Sequence, residues 1–546
     1  MIFLGAGLLL AGLLAGWIAP HERTWGMHFL AYLPPVAQVV LVILALAAVV
    51  WLWRRGRTLP GVAETAWARW TIALAGGVVF LLLAAKTSLL GDGELWLNDL
   101  QAGTDPNPAA RAPLLLRSYN LVYPALHQSI HLDARLFFIL VSVIAGVITL
   151  LAWLRLGKLL RVPWPAVLML GLAWGGIALF FGYVEMYPLL VAAVSWMLVL
   201  MISSLRTGRR GTAVGAAGLG VVALALNHLA VVFIPALLAF ALHRFFRLRL
   251  QRRTVLWGTV AVLGICGAVY FLLGWWRGTE FFLPLLPPAT ASATNPNGRA
   301  IFSLTHGLDV LNALFLLAGP LVLLVLLKRR AEWNAERGIL WLALIFPLAG
   351  LIVHNAQLGG ARDWDIAACF LVVVPVLGMT LWQELHPQRA LALLAGWILL
   401  VTVPWIAIQH SEGLTIRRFR DLLALDRGSS PSGWDYLASH YKRQDDLVNW
   451  AACFQEAVHV APNPRHYANL ALYYSVNAQW AEAEASAQAA WIEVNRDSSI
   501  SDWERQVTDP AAFWQLAKDY RLRYRSDHAE RAMRVARILQ GKRPDG

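Results

Sequence analysis

Long apolar runs recur along the chain as far as about residue 408, and they constrain its fold more than any other feature. A helix needs roughly 17 to 25 apolar residues to cross about 30 Å of hydrocarbon. Only 14% of the residues are charged, whereas soluble proteins carry about 25%. The sequence therefore predicts an all-α, polytopic membrane protein. The first run, 2–19, lacks the basic start and cleavage site of a secretion signal, so we interpret it as a retained helix.

Basic clusters between the runs indicate which loops face the cytoplasm, because Lys and Arg collect there. The segment 212–243 has a basic cluster at each end, so we expect it to cross twice, as a hairpin centred on Asn227 and His228. The pattern predicts about thirteen spans, with the N terminus in the cytoplasm and the C terminus outside. These spans are expected near residues 2–19, 31–53, 70–88, 135–157, 164–182, 187–205, 212–226, 228–243, 255–275, 307–327, 339–354, 366–383 and 389–409.

The net charge of +13 comes largely from these loops and from the C-terminal tail. We interpret it as a topology signal and predict no nucleic-acid partner. The three cysteines lie far apart, which indicates neither a disulfide framework nor a zinc site. The chain has no Asn-x-Ser/Thr sequon, and this favours a bacterial inner membrane with a periplasmic outer face.

Three regions follow from the topology. Residues 1–69 are predicted to form an N-terminal transmembrane hairpin. Residues 70–410 are predicted to form the main transmembrane domain, with an external loop at 89–134. From about residue 411 the chain becomes polar and helix-forming, so residues 411–546 are predicted to form a soluble helical domain outside the membrane.

Asp92 and Glu94 form an acidic pair where an apolar span runs out into the external loop. Two carboxylates this close can have their pKa values pushed apart by mutual repulsion, which suits one of them to act as a base. The alternative is a pair of helix-end carboxylates that the loop solvates.

Glu185 and Tyr183 lie in a very short link between two apolar runs, which places the acid close to membrane depth. Ionisable groups at that depth are costly and are functional candidates by default, although a structural hydrogen-bonding role stays open. His228, at the tip of the predicted hairpin, is a weaker candidate on the same grounds.

Two further polar segments begin or join later spans. The loop 354–365 contains His354, Arg362 and Asp363. The Arg362 guanidinium has the fork geometry that matches phosphate oxygens, although it could pair with Asp363 or Asp365, the last polar residue of the loop, instead. The second segment places three polar residues on one helical face, where capping, interhelical hydrogen bonding and metal ligation are all compatible with the spacing: His306, Asp309 and Asn312.

The order of these motifs resembles the GT-C superfamily of membrane glycosyltransferases, in particular its protein-mannosyltransferase-like branch. In that superfamily a catalytic acid lies in the first large external loop, as Asp92 and Glu94 do here. Three downstream segments resemble the family's Ala-Arg-Leu helix, its acidic-Met-Tyr segment and its hairpin Thr-His motif: His131–Leu136, Tyr183–Tyr187 and Asn227-His228. The resemblance covers about residues 70–400.

This resemblance implies a GT-C-like fold for residues 70–410. It also implies transfer of a sugar, with inversion, from a polyprenyl-phosphate donor to an extracytoplasmic protein or glycolipid. Asp92 or Glu94 would be the catalytic base, and Gly93, which separates two acids that are often adjacent in the family, leaves that choice open. The substrate would be bound by Tyr183, Glu185, His228, His306, His354, Arg362 and Asp363, with Arg362 on the leaving phosphate. No cofactor is required, no metal ligand is predicted, and a divalent metal is compatible with the chemistry.

Small and aromatic residues recur in the C-terminal region with a period of 33 residues. The repeated positions include Ala438 and Ala471, Tyr441 and Tyr474, and Ala457 and Ala490, with a partial third copy from Ala517 and Tyr520. This pattern is typical of tetratricopeptide helix pairs, in which small residues let two helices approach closely. The region is therefore predicted to bind a protein partner or a polypeptide acceptor.

Two other functions are compatible with the sequence. A transporter or flippase for lipid-linked sugars would also place polar groups at membrane depth, although such proteins usually show two related halves. A non-catalytic membrane scaffold would use the tetratricopeptide module to recruit partners, although so many spans exceed what an anchor needs.

Overall fold

The computed structural model describes residues 2–18, 22–54, 61, 65–103, 113–246, 251, 253–261, 263–264, 286, 300–326, 333–356, 358–425, 430–460, 462–496, 518 and 526–540. These residues form helices and connecting turns, and no β-strand occurs among them, so the all-α prediction is confirmed. The chain divides into two compact units, Met1–Leu422 and Leu423–Gly546.

The first unit contains helices α1 to α18, the last of which ends just beyond the division. Their bounds are α1 Ile2–Ile18, α2 Phe29–Tyr32, α3 Pro35–Arg54, α4 Ala66–Leu82, α5 Gly93–Ala102, α6 Pro113–Ile130, α7 Ala134–Leu160, α8 Trp164–Ala173, α9 Tyr187–Thr207, α10 Arg210–Leu226, α11 Ile234–Phe246, α12 Leu304–Leu326, α13 Ala335–Val353, α14 Trp364–Phe370, α15 Val373–Leu381, α16 Pro387–Trp397, α17 Val403–His410 and α18 Glu412–Leu425.

Within the described residues, seven helical segments are long and apolar enough to cross a membrane, or eight if the bent pair α14 and α15 is one span. The apolar surface of α3 is exposed along its length, with Val36, Ile43 and Leu46 each more than half accessible. Such a continuous apolar face is unfavourable in water and suits contact with lipid. These features support the prediction of a membrane protein.

The count of thirteen spans is not confirmed. Helices α4 and α10 are shorter than the seven candidates, with 17 residues each, and α8 has only 10. Helix α8 gives way to a 3-10 turn at Gly175–Phe180. A Cβ on Gly175 would lie 2.6 Å from the backbone oxygen of Leu316, so the turn brings backbone close to α12. The predicted span 255–275 lies largely outside the described residues.

The N-terminal residues are integrated with helices from later in the first unit. Trp17 on α1 donates a hydrogen bond to Gln38 on α3 over 2.7 Å, which joins the two arms of the predicted hairpin. Between these arms, Trp25 is buried and its ring N–H donates to Asp309 over 2.9 Å. Tyr32 donates to Asp421 over 2.7 Å. The segment before residue 70 therefore contributes to the same core as α12 and α18.

The second unit is formed by α19 Ser430–Arg443, α20 Leu447–Val460, α21 Pro464–Val476, α22 Trp480–Arg496 and α23 Ser526–Leu539. Consecutive helices pack against each other as pairs, and α23 packs on α22. The small residues of the 33-residue period lie inside these pairs, since Ala457, Ala471, Ala487 and Ala490 are fully buried. Of the partial third copy, which continues through Ala529, Met533 and Ala536, residues 517 and 520 lie outside the described residues, whereas Ala529 and Ala536 are fully buried on α23.

The division between the units falls inside α18, whereas the soluble domain was predicted to begin at residue 411. Most of α18 packs within the first unit, where Phe419 is fully buried and Leu422 nearly so. The average composition becomes polar at this helix because its exposed face carries charged residues. The average composition does not reveal that the opposite face is buried.

Candidate functional site

The backbone that follows α4 is anchored by two other parts of the first unit. The Arg135 guanidinium, in the Ala-Arg-Leu segment, donates to the carbonyl oxygen of Ala85 over 2.6 Å. The Ala85 N–H donates to the carbonyl oxygen of Phe181 over 2.7 Å. These contacts determine where the chain enters the external loop that carries Asp92.

Gly91 and Asp92 bring together motifs that lie far apart in the sequence. The Gly91 N–H donates to the carbonyl oxygen of Arg362 over 3.0 Å. The Asp92 N–H donates to Oε1 of Glu185 over 2.5 Å. The acidic loop, the short link around Glu185 and the loop 354–365 therefore meet at one point.

Gly91 lies at the centre of this site. Its φ of +64° is in the left-handed region that favours glycine, and a Cβ here would lie 2.5 Å from Oε1 of Glu185, 2.7 Å from Oδ2 of Asp365 and 2.9 Å from the Tyr183 hydroxyl. The Tyr183 hydroxyl donates to Oδ2 of Asp365 over 3.1 Å. We call Gly91, Asp92, Tyr183, Glu185 and Asp365 the acidic cluster.

Glu185 and Asp365, the two buried acids of the acidic cluster, have pKa values raised well above the usual range, so they hold protons more tightly than isolated carboxylates would. Burial raises the pKa of Glu185 well above its usual value, and the charges of Asp365 and Asp92 raise it further. The N–H groups of Asp92 and Met186, which donate to the two Glu185 oxygens, oppose these effects. Burial also raises the pKa of Tyr183, as do the neighbouring carboxylates. A protonated Glu185 removes part of the repulsion between the acids.

The substitution Glu185→Gln is expected to flatten the dependence of stability on pH. Because the folded-state pKa of Glu185 is raised, the folded protein keeps a proton that the unfolded chain has lost. This stabilisation is complete below about pH 4.5, the usual pKa of the group, and is lost as the pH rises towards the folded value. In detergent, the melting temperature of the wild type should fall more steeply with rising pH than that of the variant. Equal slopes would contradict the assignment.

The two acids of the predicted pair occupy different environments. Asp92 precedes α5 and is partly exposed, and its side chain does not cap that helix. Glu94 lies in the first turn of α5 and is 0% exposed. The intervening Gly93 is confined, since a Cβ on it would lie 2.8 Å from the carbonyl oxygens of Ser88 and Val184. Only Asp92 is therefore open to an incoming molecule.

Phe419, on α18, lies close to two buried arginines. Arg418 precedes it in the sequence, and Arg362 packs against its ring. The Arg362 guanidinium is buried and lies 5.5 Å from the ring centroid of Phe419. The preceding residue, Arg418, is 2% exposed, and its guanidinium lies 5.1 Å and 4.8 Å from the rings of Phe29 and Trp405. Burial lowers the pKa of Arg418 to about 10, which leaves it charged at neutral pH.

Arg418 and Asp365 were missing from the predicted site. Arg418 lies in a region whose composition reads as the start of a soluble domain, and its neighbours Arg417 and Arg420 made it look like part of a solvated face. Asp365 was seen as one polar residue of its loop. Its position next to Gly91 depends on the tertiary fold, so no sequence signal distinguished it from Asp363.

Four of the predicted residues line a separate small recess: His306, Asp309, His354 and Asp363. Two of these four residues have hydrogen bonds to backbone groups elsewhere in the chain. Nε2 of His306 lies 2.7 Å from the carbonyl oxygen of Ile352, and Oδ2 of Asp363 accepts from the Leu358 N–H over 2.8 Å. Asp363 thus faces this recess, whereas Asp365 faces the acidic cluster.

Two other predicted polar residues also have contacts that link parts of the fold. The Asn312 side chain accepts from the Gly26 N–H over 2.8 Å and donates to the carbonyl oxygen of Arg23 over 2.7 Å. His228 is buried in the 3-10 turn His228–Phe233, which Asn227 caps by accepting from the Leu229 N–H over 2.9 Å. His228 is not among the residues that surround Gly91 or line the recess.

Among the described residues, no group of three or more His, Cys, Asp or Glu side chains is arranged to hold a metal ion. The site is therefore a set of acids around a backbone turn, with two buried guanidinium groups in the same unit. No family model, curated protein or solved structure matches the chain.

Proposed function

We propose that the protein is an integral membrane glycosyltransferase of the GT-C type, which moves a sugar from a polyprenyl-phosphate donor to an extracytoplasmic protein or glycolipid. About thirteen spans, with the N terminus in the cytoplasm and the second unit in the periplasm, would complete this architecture. The donor is a lipid-linked substrate, and no cofactor is needed.

The observation that carries the proposal is the meeting of three predicted motifs at Gly91 and Asp92. The first motif is the acidic loop itself, the second supplies Glu185, and the third supplies the Arg362 carbonyl. A scaffold has no need to gather buried acids around a partly exposed aspartate. Perturbed acids that cluster beside an accessible one are typical of catalytic sites.

In the proposed mechanism Asp92 is the general base. Its carboxylate takes the proton of an acceptor hydroxyl while the hydroxyl oxygen attacks the anomeric carbon of the sugar. The bond from that carbon to the phosphate oxygen breaks, and its electron pair leaves with the polyprenyl phosphate. Inversion follows because one displacement occurs. Glu94 is fully buried, which favours Asp92 as the base and leaves Glu94 a supporting role in α5.

Positive charge is required where the phosphate leaves, because negative charge develops there in the transition state. Arg362 is the candidate from the loop 354–365, and its guanidinium is oriented by the Phe419 ring. Arg418 adds a second buried positive charge in the same unit. His306, His354 and Asp363 line the separate recess, so we assign them no part in the transfer step.

The second unit is proposed to be a tetratricopeptide-like module that holds a polypeptide acceptor. The buried alanines of its paired helices support this, because close packing of paired helices through small residues is the basis of such repeats. Its occupant would be a segment of polypeptide rather than a lipid.

Deletion of residues 430–546 is expected to leave transfer to a short acceptor intact and to remove selection among polypeptide acceptors. Deletion from residue 412 also removes Arg418 and Phe419, which are buried in the first unit, so transfer should be lost. The measurement is the rate of sugar transfer to a short peptide and to folded acceptor proteins. Unchanged acceptor choice after the shorter deletion would show that the module has no role in it.

The proposed function is tested by incubating the purified chain with polyprenyl phosphates carrying a radiolabelled sugar and with extracytoplasmic proteins from cells that lack it. Transfer of label, with release of polyprenyl phosphate, is expected. Glycan analysis of those cells identifies the acceptor. Absence of transfer across a panel of donor sugars, to these proteins and to membrane glycolipids alike, would reject the enzyme and leave the flippase and the scaffold.

One observation favours a flippase for lipid-linked sugars as a second candidate. Helices α14 and α15 form a broken span with a bend of 41°, and Asp365 lies at its start. Broken helices with polar groups at membrane depth are typical of transporters. Reconstituted vesicles distinguish the two functions, since a flippase moves the lipid-linked sugar between leaflets without breaking the sugar–phosphate bond.

A further inference from the structure

A shallow recess beside the acidic cluster takes no part in the mechanism proposed above. The space inside it suits a group the size of one hydroxyl, so only one end of a ligand could enter. Its lining within the described part of the chain contains no Asp, Glu, Lys, Arg or His and consists of Ala85, Thr87, Leu90, Tyr183, Gln409 and Thr415. We call it the Gln409 recess. Tyr183 belongs both to this recess and to the acidic cluster, so the two are contiguous.

Gln409 carries a buried amide whose hydrogen-bonding capacity is unused. The residue is 3% exposed, and neither the oxygen nor the nitrogen of its side-chain amide has a hydrogen-bond partner within the part of the chain that the structure describes. Its backbone is fixed, because its carbonyl oxygen accepts from the Lys86 N–H over 2.9 Å. Buried polar groups are nearly always satisfied, so the Gln409 amide is prepared for a group that enters from outside.

The remaining polar atoms of the recess define which group that is. The Thr415 hydroxyl donates to the Ile408 carbonyl oxygen over 2.7 Å, and the Tyr183 hydroxyl donates to Asp365 over 3.1 Å. Both hydroxyl oxygens therefore keep lone pairs with which to accept. The Gln409 amide adds two donors and one more acceptor, and the Thr87 hydroxyl can both donate and accept. A ligand that both donates and accepts matches this set, and hydroxyl groups do both.

We propose that the Gln409 recess binds a hydroxyl group of a neutral sugar and selects that sugar over an acidic one. The described lining of the recess contains no positively charged side chain, so an anionic ligand would lose its hydration there without gaining a counter-charge. Such an unpaired charge discriminates against the acidic sugar. The identification of the ligand as the transferred sugar rests on the proposed function, whereas the preference for neutral hydroxyl groups rests on the recess alone.

The test uses the purified full chain in detergent and measures binding by titration calorimetry. The probes are the methyl glycosides of mannose, glucose and galactose and the methyl glycoside of glucuronic acid. At least one neutral glycoside should bind roughly tenfold or more tightly than the glucuronide, because the carboxylate would lose its hydration without gaining a counter-charge in the recess. Equal or tighter binding of the glucuronide would overturn the proposal, as would the absence of binding by every neutral glycoside.

The substitution Gln409→Met keeps the volume of the side chain and removes the amide. It should weaken binding of the neutral glycoside about tenfold or more. The matched control is Gln383→Met, since Gln383 donates to the carbonyl oxygens of Leu160 and Arg161 and lies outside the recess. Unchanged affinity in Gln409→Met would overturn the proposal. If that variant does not fold, Gln409→Asn withdraws the amide by one methylene and should weaken binding in the same way.

The outcome is separable from that of the proposed function. Glycoside binding that depends on Gln409, in a protein that transfers no sugar, would support the recess and reject the enzyme. If the protein transfers sugar but Gln409→Met leaves its affinity for every glycoside unchanged, the enzyme is supported and the recess proposal is overturned.

Discussion

Replacing Asp92 by Asn is expected to reduce sugar transfer by roughly 10²- to 10⁴-fold, the contribution of a general base. Asparagine keeps the size of the side chain but cannot take the proton of the acceptor hydroxyl. The fold should be retained, because the contact that anchors this residue to Glu185 is made by its backbone N–H. The measurement is the initial rate of transfer from the polyprenyl-phosphate donor, together with the melting temperature of the purified variant.

Two further variants make the result specific to Asp92. Asp99→Asn removes a charge from a partly buried aspartate on the same helix, α5, and should leave the transfer rate unchanged. Glu94→Gln alters a fully buried residue and should lower stability more than turnover. If Asp92→Asn kept full activity while a folded Glu94→Gln lost it, the base would be Glu94.

The all-α membrane fold could be predicted because the thickness of the bilayer sets the length of apolar helix that each span needs, and the apolar runs have about that length. The number of spans could not. The runs near α8 and around α14 have the composition of spans, yet they are broken by turns that depend on packing, such as the one where Gly175 meets Leu316. Hydropathy measures how apolar a segment is and contains no information about what lies against it.

The site was predictable in part for a similar reason. Asp92, Tyr183 and Glu185 were found because acids and a phenol at a membrane exit are conspicuous in an apolar sequence. His306, His354 and Asp363 were grouped with them because the predicted topology put them on the same face. A shared face does not require contact, and the structure places these three in another recess. Arg418 and Gln409 were missed because their burial depends on the packing of α18 and the end of α17.

Replacing Gly91 by Ala is expected to disrupt the acidic cluster and to reduce transfer by at least about 10²-fold, since small displacements of catalytic groups have effects of this size. The new Cβ would lie between 2.5 and 2.9 Å from oxygens of Glu185, Asp365 and Tyr183. All three of these side chains also have hydrogen bonds that limit their movement. The backbone would therefore shift, and Asp92 would shift with it.

Gly103→Ala separates this effect from the backbone strain alone. Gly103 ends α5 with a φ of +62°, almost the same as the +64° of Gly91, but no heavy atom of the described residues lies within 4 Å of its Cβ position. Both variants should lose about 1–2 kcal/mol from the left-handed conformation, and only Gly91→Ala should lose transfer. Melting temperatures and transfer rates of the two variants provide the comparison. If both variants were equally active, the oxygens around Gly91 would not be holding Asp92 in place, and the catalytic site would have to lie elsewhere.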